Sequence, residues 1–274
     1  AMVGLSVFVL RVYSAALFLG TPNGKNQFYE AVQTAETDKE WALLTFPVSA
    51  TGLIEAPELD AARNVMTPDE YKCEFECSFE AAVKGAIYAD QLETARTDGR
   101  ICPVPYDPAL PVDTDWDLGM GDATAIIFSQ SLRSGEVRII DFVEASGEGL
   151  QYYANVLGTR PYVYGTHWAP HDIAVRELGT GKSRLEVAAG FGLKFAVTPR
   201  VTGGASEVED GIHAARLLWS RCWFDEVKTR PLVEALQHYR RDYNTRLGDF
   251  RATPVHDWSS HAADAFRGLA VRHR

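Results

Sequence analysis

The alternation of apolar and polar residues predicts an α/β arrangement over the first part of the chain. Residues 15–19 form a short apolar run typical of a buried strand, and the turn formers at 20–24 end it. Residues 26–35 then carry apolar side chains at helical spacing. A strand, a polar loop and a helix in this order make a unit in which ligands bind at the carboxyl end of the strand. Further predicted elements are a strand at 41–48 and helices at 56–64 and 67–75.

The second part of the chain predicts three strands in succession, followed by helices that alternate with strands. The predicted strands are 112–118, 123–129, 137–143, 162–168 and 193–198, and the predicted helices are 149–157, 172–178, 205–219, 230–243 and 259–272. Gly119 and Gly121 mark a tight turn that joins the first two of these strands as a hairpin. This element order is typical of a ribonuclease-H-like domain, an α/β fold with a mixed sheet flanked by helices.

Composition and charge indicate a domain boundary and exclude one class of nucleic-acid-binding protein. It has 274 residues and a formal net charge of −10, which argues against a protein that coats nucleic acid through its overall charge. Residues 1–84 carry 12 acidic and 6 basic side chains, a more acidic balance than that of residues 85–274. We therefore expect two domains with a boundary near residue 84.

The cysteine content and the lengths of the apolar runs indicate the compartment. Four cysteines in a chain of this length are typical of a reducing environment. No apolar run reaches the roughly 18 residues that span a bilayer. We expect a cytoplasmic protein that has no membrane partner.

The densest acidic cluster of the sequence lies on the predicted strand 112–118. Asp113, Asp115 and Asp117 alternate there, and alternate side chains of a strand share one face. Neighbouring carboxylates repel one another unless a cation lies between them, and Mg²⁺ and Mn²⁺ prefer oxygen ligands. The cluster indicates either a metal site or a solvent-facing strand edge protected by charge.

Two further acidic positions occur later in the chain. Asp172 follows a predicted strand, where an aspartate either binds a ligand or caps the next helix. Asp257, His261 and Asp264 would fall on one face of a helix. The spacing suits a metal site, and it equally suits the polar start of an ordinary helix.

Basic residues offer candidate contacts to a nucleic-acid backbone. Residues 179–183 are similar to a phosphate-binding P-loop, but Arg176 stands where that motif requires its first glycine, so we exclude nucleotide binding there. Lys182 and Arg184 either contact DNA phosphates or start a helix. Residues 228–251 carry six basic and three acidic side chains, which indicates either a DNA-contacting surface or a solvated helix face.

Five motifs, in sequence order, resemble those of the large terminase subunit of tailed bacteriophages, the DNA-packaging motor and nuclease. Residues 18–30 resemble the coupling motif near the end of the family's ATPase domain, and residues 71–88 resemble its passage into the nuclease domain. The three acidic nuclease motifs have as their counterparts Asp117-Leu-Gly-Met-Gly-Asp122, Pro170-His-Asp172 and Ser260-His-Ala-Ala-Asp264. The resemblance covers nearly the whole chain from about residue 15.

The resemblance implies a division of the chain. Residues 85–274 would be a ribonuclease-H-like nuclease domain. Residues 1–84 would be a partial ATPase-domain remnant with the coupling motif and a linker. A full-length large terminase carries Walker A and Walker B segments upstream of the coupling motif, and nothing ahead of residue 15 resembles them. We therefore expect neither ATP hydrolysis nor DNA translocation by this chain alone, which would be an engineered fragment or the product of a degraded prophage gene.

The resemblance also implies the site. Two metal ions, Mg²⁺ or Mn²⁺, would be held by the catalytic residues Asp117, Asp172 and Asp264, with Asp122 as a further ligand. Asp117 is thereby selected among the acids of its strand, whereas the residues alone left that choice open. His261 would orient a metal ligand or make a structural hydrogen bond.

We expect a metal-dependent endonuclease that cleaves double-stranded DNA, with little sequence specificity, during phage genome packaging. The portal and the small terminase subunit are the expected partners in the intact motor. The alternatives are another ribonuclease-H-like nuclease, such as a Holliday-junction resolvase or an RNA–DNA hybrid nuclease, and an inactive prophage remnant or assembly module. The candidate DNA contacts are Lys182, Arg184, Arg240, Arg241, Arg246 and Arg251.

Overall fold

The chain folds into two compact units, Ala1–Ala86 and Ile87–Arg274. The computed structural model describes residues 7–11, 17–22, 27–66, 68–79, 85–119, 123–176, 181–200, 207–244 and 249–274. The three predicted catalytic aspartates all lie in the second unit.

The first unit contains a small antiparallel sheet and short helices. Its described strands are β1 (Val7–Arg11), β2 (Leu17–Gly20) and β3 (Trp41–Thr45), and its described helices are α1 (Gln27–Thr37), α2 (Val48–Thr51), α3 (Ala56–Val65) and α4 (Pro68–Glu76). Strand β1 lies between β2 and β3 and is antiparallel to both. Val32 of α1 is buried with Trp41 packed against it, and Tyr71 stacks on Phe75 in a second small core.

The predicted strand 41–48 is too long by three residues. Pro47 has an extended backbone and immediately precedes α2, so the chain turns into a helix at Val48. Proline cannot donate a hydrogen bond to a sheet, and it is well tolerated at the start of a helix. The helices predicted at 56–64 and 67–75 are present as α3 and α4.

The second unit contains a larger sheet, a hairpin and six described helices. Its strands are β4 (Ile101–Cys102), β5 (Val112–Asp117), β6 (Ala123–Ser131), β7 (Val137–Ser146), β8 (Tyr164–Ala169), β9 (Phe195–Val197), β10 (Cys222–Asp225), β11 (Arg241–Asn244) and β12 (Asp249–Pro254). Its helices are α5 (Ala89–Thr97), α6 (Leu150–Gly158), α7 (Arg184–Gly190), α8 (Glu207–Leu218), α9 (Arg230–His238) and α10 (Ser260–Arg272).

The topology of the larger sheet is ribonuclease-H-like. Its seven described strands follow the order β4-β10-β7-β6-β5-β8-β9. Strands β5, β6 and β7 form an antiparallel meander, and β8 and β9 lie parallel to β5 on its other side. This arrangement confirms the predicted fold class, a mixed sheet flanked by helices. Strands β10 and β4, which the apolar pattern did not predict, extend the sheet beyond β7 in parallel.

Each face of this sheet is covered by its own hydrophobic core. Ala125 and Ile127 of β6 face a core formed with α8, α9 and α10, whereas Ile126 and Phe128 face a core that includes residues of α6 and α7. Alternate residues of one strand therefore serve both layers, which explains the almost continuous apolar run of β6. On the first face, the ring centroids of Trp219 and Phe266 are 4.9 Å apart.

Two predicted helices are wrong in extent. The helix predicted at 230–243 ends at His238, because Tyr239 has an extended backbone, and residues 241–244 pair with residues 249–254 as a hairpin. The helix predicted at 172–178 is a short 3-10 turn over His171–Ala174, after which Val175 is extended. In both segments the chain changes direction within a run whose apolar spacing suited a longer helix.

Among the described residues, no helix combines the length and apolar character that crossing a membrane requires.

The histidine at the end of α10 predicts a loss of stability in mild acid. Burial, together with the positive charges of nearby Arg272 and Arg221, lowers the pKa of His273 to about 4, although the negative charge of Asp113 acts in the opposite direction. The unfolded chain takes up this proton near pH 6.5 and the folded chain near pH 4, so stability is complete above pH 6.5 and decreases as the pH falls. Between pH 6.5 and pH 5.5, we expect the parent to lose more unfolding free energy than His273→Gln, by at most about 1 kcal/mol because solvent screens this partly exposed ring. Urea titrations at both pH values test this, and equal losses in the two proteins would contradict it.

Candidate active site

Asp117 is the last residue of β5, at the carboxyl end of a central strand. Its Oδ2 lies 3.0 Å from Nδ1 of His261, in the first turn of α10. The side chains are only partly exposed, 22% for Asp117 and 12% for His261. An ionised carboxylate only accepts hydrogen bonds, so the ring N–H of His261 is the donor. This bond joins the strand directly to the helix.

Asp264 lies three residues after His261 on α10, and its Oδ1 accepts a hydrogen bond from the guanidinium of Arg267. Burial raises the pKa of Asp264, Arg267 lowers it, and the negative charge of Asp117 raises it again. The net pKa is above its usual range. Asp117 and Asp264 therefore repel each other, and each is held by a basic side chain from α10.

Asp172 lies in the 3-10 turn that follows β8, the parallel neighbour of β5. Its Oδ2 is 4.0 Å from a guanidinium nitrogen of Arg184. Its Oδ1 is enclosed and has no hydrogen-bond partner among the described residues. A buried carboxylate oxygen without a partner is costly, which suggests that a further group belongs beside it.

The three aspartates line a single cavity of about 390 Å³. Asp117 and Asp172 meet there because the carboxyl ends of the parallel strands β5 and β8 lie at one edge of the sheet, and Asp264 reaches the cavity from α10. Arg200, Glu207 and Arg267 also line this cavity. The sequence prediction that Asp117, Asp172 and Asp264 lie close together thus agrees with their positions, while their catalytic roles stay a prediction.

The donors of the cavity suit a hard divalent cation, although they do not form a closed cage. Among the described residues, no group of three histidine, cysteine, aspartate or glutamate side chains is already placed to hold a metal ion. The available donors are carboxylate oxygens, which Mg²⁺ and Mn²⁺ prefer. The unpartnered Oδ1 of Asp172 and the repulsion between Asp117 and Asp264 are both features that a bound cation would relieve. Asp122, the predicted additional ligand, lies outside the described residues.

The other two acids of β5 have a different partner from Asp117. Asp113 and Asp115 both contact the guanidinium of Arg272, at the end of α10. The predicted shared face is therefore confirmed, since all three carboxylates contact α10. The positive charge beside Asp113 and Asp115 is therefore the guanidinium of Arg272 and not a metal ion. Burial raises the pKa of Asp115 to about 6, although Arg272 acts in the opposite direction.

Sequence reasoning missed several charged residues around the cavity. Glu144 of β7 is in register with Ala125 of β6, which in turn pairs with Asp117. Partial burial raises the pKa of Glu144, His261 lowers it, and Asp117 raises it. The strand pairing could have located this residue, whereas Arg267 and Arg200 carry no signal in the local pattern.

The predicted DNA contacts lie in varied surroundings. Arg184 donates to the backbone carbonyl of Leu118 at 3.2 Å, beside the end of β5. Three others form ion pairs: Arg240 with Asp257 at 2.6 Å, Arg241 with Glu209 at 2.6 Å, and Arg251 with Asp242 at 3.6 Å. Lys182 is exposed just ahead of α7, and Arg246 lies outside the described residues. Their roles in DNA binding stay predictions.

Comparison with known proteins shows similarity to the large terminases of bacteriophages. No family model matches the chain, and no curated protein matches it in sequence. The large terminase of a thermophilic bacteriophage, in complex with ATP-γ-S, shares its fold with a TM-score of 0.50 at 15% sequence identity, over 91% of this chain. The chain spans 61% of the length of that terminase.

Two isolated nuclease domains are also similar. The P22 large terminase nuclease domain has a TM-score of 0.46 and 20% identity, over 62% of this chain and 86% of its own. The nuclease domain of the SPP1 large terminase, with bound Mn, has a TM-score of 0.42 and 16% identity, over 58% of this chain and 84% of its own. The likeness to the large terminase of the thermophilic bacteriophage, at 15% identity, shows the fold and leaves the activity open.

The close contact between β5 and β8 predicts that a side chain at Gly165 lowers the stability of the protein. A Cβ at Gly165 would overlap Oδ1 of Asp113, which accepts the backbone N–H of Thr166 at 2.8 Å. We expect Gly165→Ala to lower the unfolding free energy by about 1–3 kcal/mol, as overpacking does. Gly158→Ala is the control, because no described heavy atom lies within 4 Å of its added Cβ. Thermal unfolding of both variants tests this, and equal Tm values would contradict it.

Proposed function

We propose that this chain is a metal-dependent endonuclease of the large terminase type, which cleaves double-stranded DNA during phage genome packaging. The observation that carries the proposal is the convergence of Asp117, Asp172 and Asp264 on one cavity. The fold shared with the large terminase of the thermophilic bacteriophage supports it. In the intact motor, the partners would be the portal and the small terminase subunit.

Asp117, Asp172 and Asp264 would hold the divalent cations, two ions of Mg²⁺ or Mn²⁺, with Asp122 as a further ligand. Bound cations of this kind lower the pKa of a water molecule and stabilise the charge that develops on the phosphate. Asp172 offers Oδ1, the buried oxygen that has no described hydrogen-bond partner. Asp117 and Asp264 face each other closely enough to interact electrostatically.

His261 and Arg267 would hold two of these carboxylates in place. The hydrogen bond from His261 fixes the orientation of Asp117, and the guanidinium of Arg267 fixes that of Asp264. Preorganised carboxylates bind a cation without first losing rotational freedom. Both basic residues lie on α10, so the packing of this helix would determine the geometry of the site.

DNA binding would be local, because the chain as a whole repels a polyanion. The net charge of −10 disfavours long-range attraction, and basic side chains near the cavity would offset it. Arg184, at 4.0 Å from Asp172, is the predicted contact that lies beside a catalytic aspartate. Arg240, Arg241 and Arg251 would first have to leave their acidic partners.

Removing any one of the three carboxylates should abolish cleavage. We expect Asp117→Asn, Asp172→Asn and Asp264→Asn each to cut plasmid duplex at least about 100-fold more slowly and to lose Mn²⁺ binding, because each removes a charged ligand. Cleavage assays and isothermal titration calorimetry with Mn²⁺ measure this. Asp90→Asn, at an exposed aspartate in the first turn of α5, is the control and should behave as the parent.

Three results would change the assignment. Near-parental cleavage by one variant would remove that residue from the catalytic set. A parent that neither binds Mn²⁺ nor cuts DNA would favour an inactive or assembly role. A preference for four-way junctions or RNA–DNA hybrids over plain duplex would favour a related ribonuclease-H-like nuclease.

The salt dependence of DNA binding tests the proposed backbone contacts. Each lost phosphate contact should reduce the slope of log affinity against log salt by about 0.9. We expect this for Lys182→Ala and for Arg251→Ala. Arg133→Ala, in the exposed turn at the other end of β6 from Asp117, is the control and should leave the slope unchanged. Parental slopes in the first two variants would contradict the proposal.

A further inference from the structure

A second polar connection joins β5 to α10 away from the cavity. The guanidinium of Arg272 donates two hydrogen bonds to the carboxylate of Asp115, from Nε to Oδ1 at 2.7 Å and from Nη2 to Oδ2 at 3.0 Å. Its Nη2 also donates to Oγ of Ser129 on β6 at 3.0 Å. Its Nη1 lies 3.3 Å from Oδ2 of Asp113. Asp115 is 1% exposed, so the network is inside the protein.

The network reaches the element that leads to the third catalytic aspartate as well. Oδ1 of Asp113 accepts the backbone N–H of Thr166 on β8, and the guanidinium of Arg272 lies 5.8 Å from the ring centroid of Trp168 on the same strand. Asp172 follows β8 directly. Arg272 of α10, the helix that carries Asp264, is thus linked to β5, which carries Asp117, and to β8, the strand that leads to the turn carrying Asp172.

The spacing along each element makes the connection rigid. Asp115 precedes Asp117 by two residues on the same face of β5, a distance of about 6.6 Å. Arg272 follows Asp264 by eight residues on α10, or about 12 Å of helix. A helix and a central strand transmit a displacement over such lengths. A shift of Arg272 relative to Asp115 would therefore shift Asp264 relative to Asp117.

Stability alone is a poor reason for this buried pair. Replacing a buried ion pair with apolar side chains of similar volume is often neutral or stabilising, because both charges lose their hydration. A bidentate arginine–carboxylate pair also has a defined geometry, so it fixes the relative position of the two elements that carry its side chains. The apolar contacts between α10 and the sheet include small residues, among them Ala262 and Ala263, which allow close approach.

We propose that Arg272, held by Asp115 and Asp113, is a positioning residue that fixes the register of α10 against β5 and so the separation of the three aspartates of the cavity. The consequence for metal binding and cleavage rests on the proposed nuclease function. Arg272, Asp113 and Asp115 are not among the described residues that line the cavity, so they would act through Asp117 and Asp264.

The central test is Arg272→Lys, which keeps the positive charge and loses the bidentate hydrogen bond to Asp115. We expect Mn²⁺ affinity to fall at least tenfold in calorimetry and kcat for duplex cleavage to fall at least tenfold, with KM for DNA within threefold. The matched control is Arg160→Lys, since Nε of Arg160 pairs with the buried Asp141 at 2.9 Å, on β7 and away from α10. The control should lower Tm to a similar extent and leave Mn²⁺ affinity and kcat within twofold.

A milder variant guards against loss of folding. Asp113→Asn keeps an acceptor for the N–H of Thr166 and removes a charge from Arg272, while the bidentate hydrogen bond to Asp115 stays intact. We expect Mn²⁺ affinity to fall about threefold and Tm to change little. Parental Mn²⁺ affinity and kcat in both Arg272→Lys and Asp113→Asn would overturn the proposal and leave the network a purely structural one.

A spectroscopic signal separates this proposal from the proposed function. The hydrogen bond between His261 and Asp117 joins α10 to β5, so the ¹⁵N resonances of the His261 ring report on their register without any metal. We expect these resonances, assigned by their loss in His261→Asn, to shift in Arg272→Lys and to stay in place in Arg160→Lys. If the parent neither binds Mn²⁺ nor cuts DNA, the nuclease proposal fails, and unshifted His261 resonances would independently overturn the positioning role.

Discussion

The close packing of α10 against the central strands is the contact on which the candidate site depends. Ala262, Ala263 and Ala265 are fully buried in the core beneath the sheet, and such small side chains let the helix backbone approach β5 and β6. Only this approach brings His261 within hydrogen-bond distance of Asp117. The aromatic pair of Trp219 and Phe266 fills the same core and anchors the helix by apolar burial.

Charge compensation explains how so many carboxylates coexist in a small volume. Each of the catalytic candidates has a basic neighbour: His261 for Asp117, Arg267 for Asp264 and Arg184 for Asp172. Three of the four basic side chains around these acids, counting Arg272, come from α10. The helix therefore supplies one catalytic candidate, the guanidinium that pairs with Asp113 and Asp115, and the ring that donates to Asp117. Such compensation is required because buried, unpaired charges are very costly.

The sequence predicted those features that are local and left out those that depend on distant pairing. The strands of the β5–β7 meander and the positions of the three aspartates could be predicted because apolar spacing and acidic motifs lie within short segments. The four-residue β10 was too short to detect, and the polar hairpin β11–β12 continued the apparent spacing of α9. The partnership of Asp115 with Arg272 spans 157 residues, and no local pattern reports such a contact. Glu144 became recognisable only once the strand register placed it in line with Asp117, across Ala125 of β6.

The separation of 144 residues between Asp117 and His261 also has a consequence for folding. Contacts this far apart form late, since a long loop must close before they contribute any stability. A partly folded chain with the β5–β7 meander in place and α10 undocked would hold Asp117 without His261, Asp264 or Arg267. Local opening that releases this one helix would likewise dismantle the site as a unit. The candidate activity is therefore tied to the docking of α10, because this helix carries His261, Asp264 and Arg267.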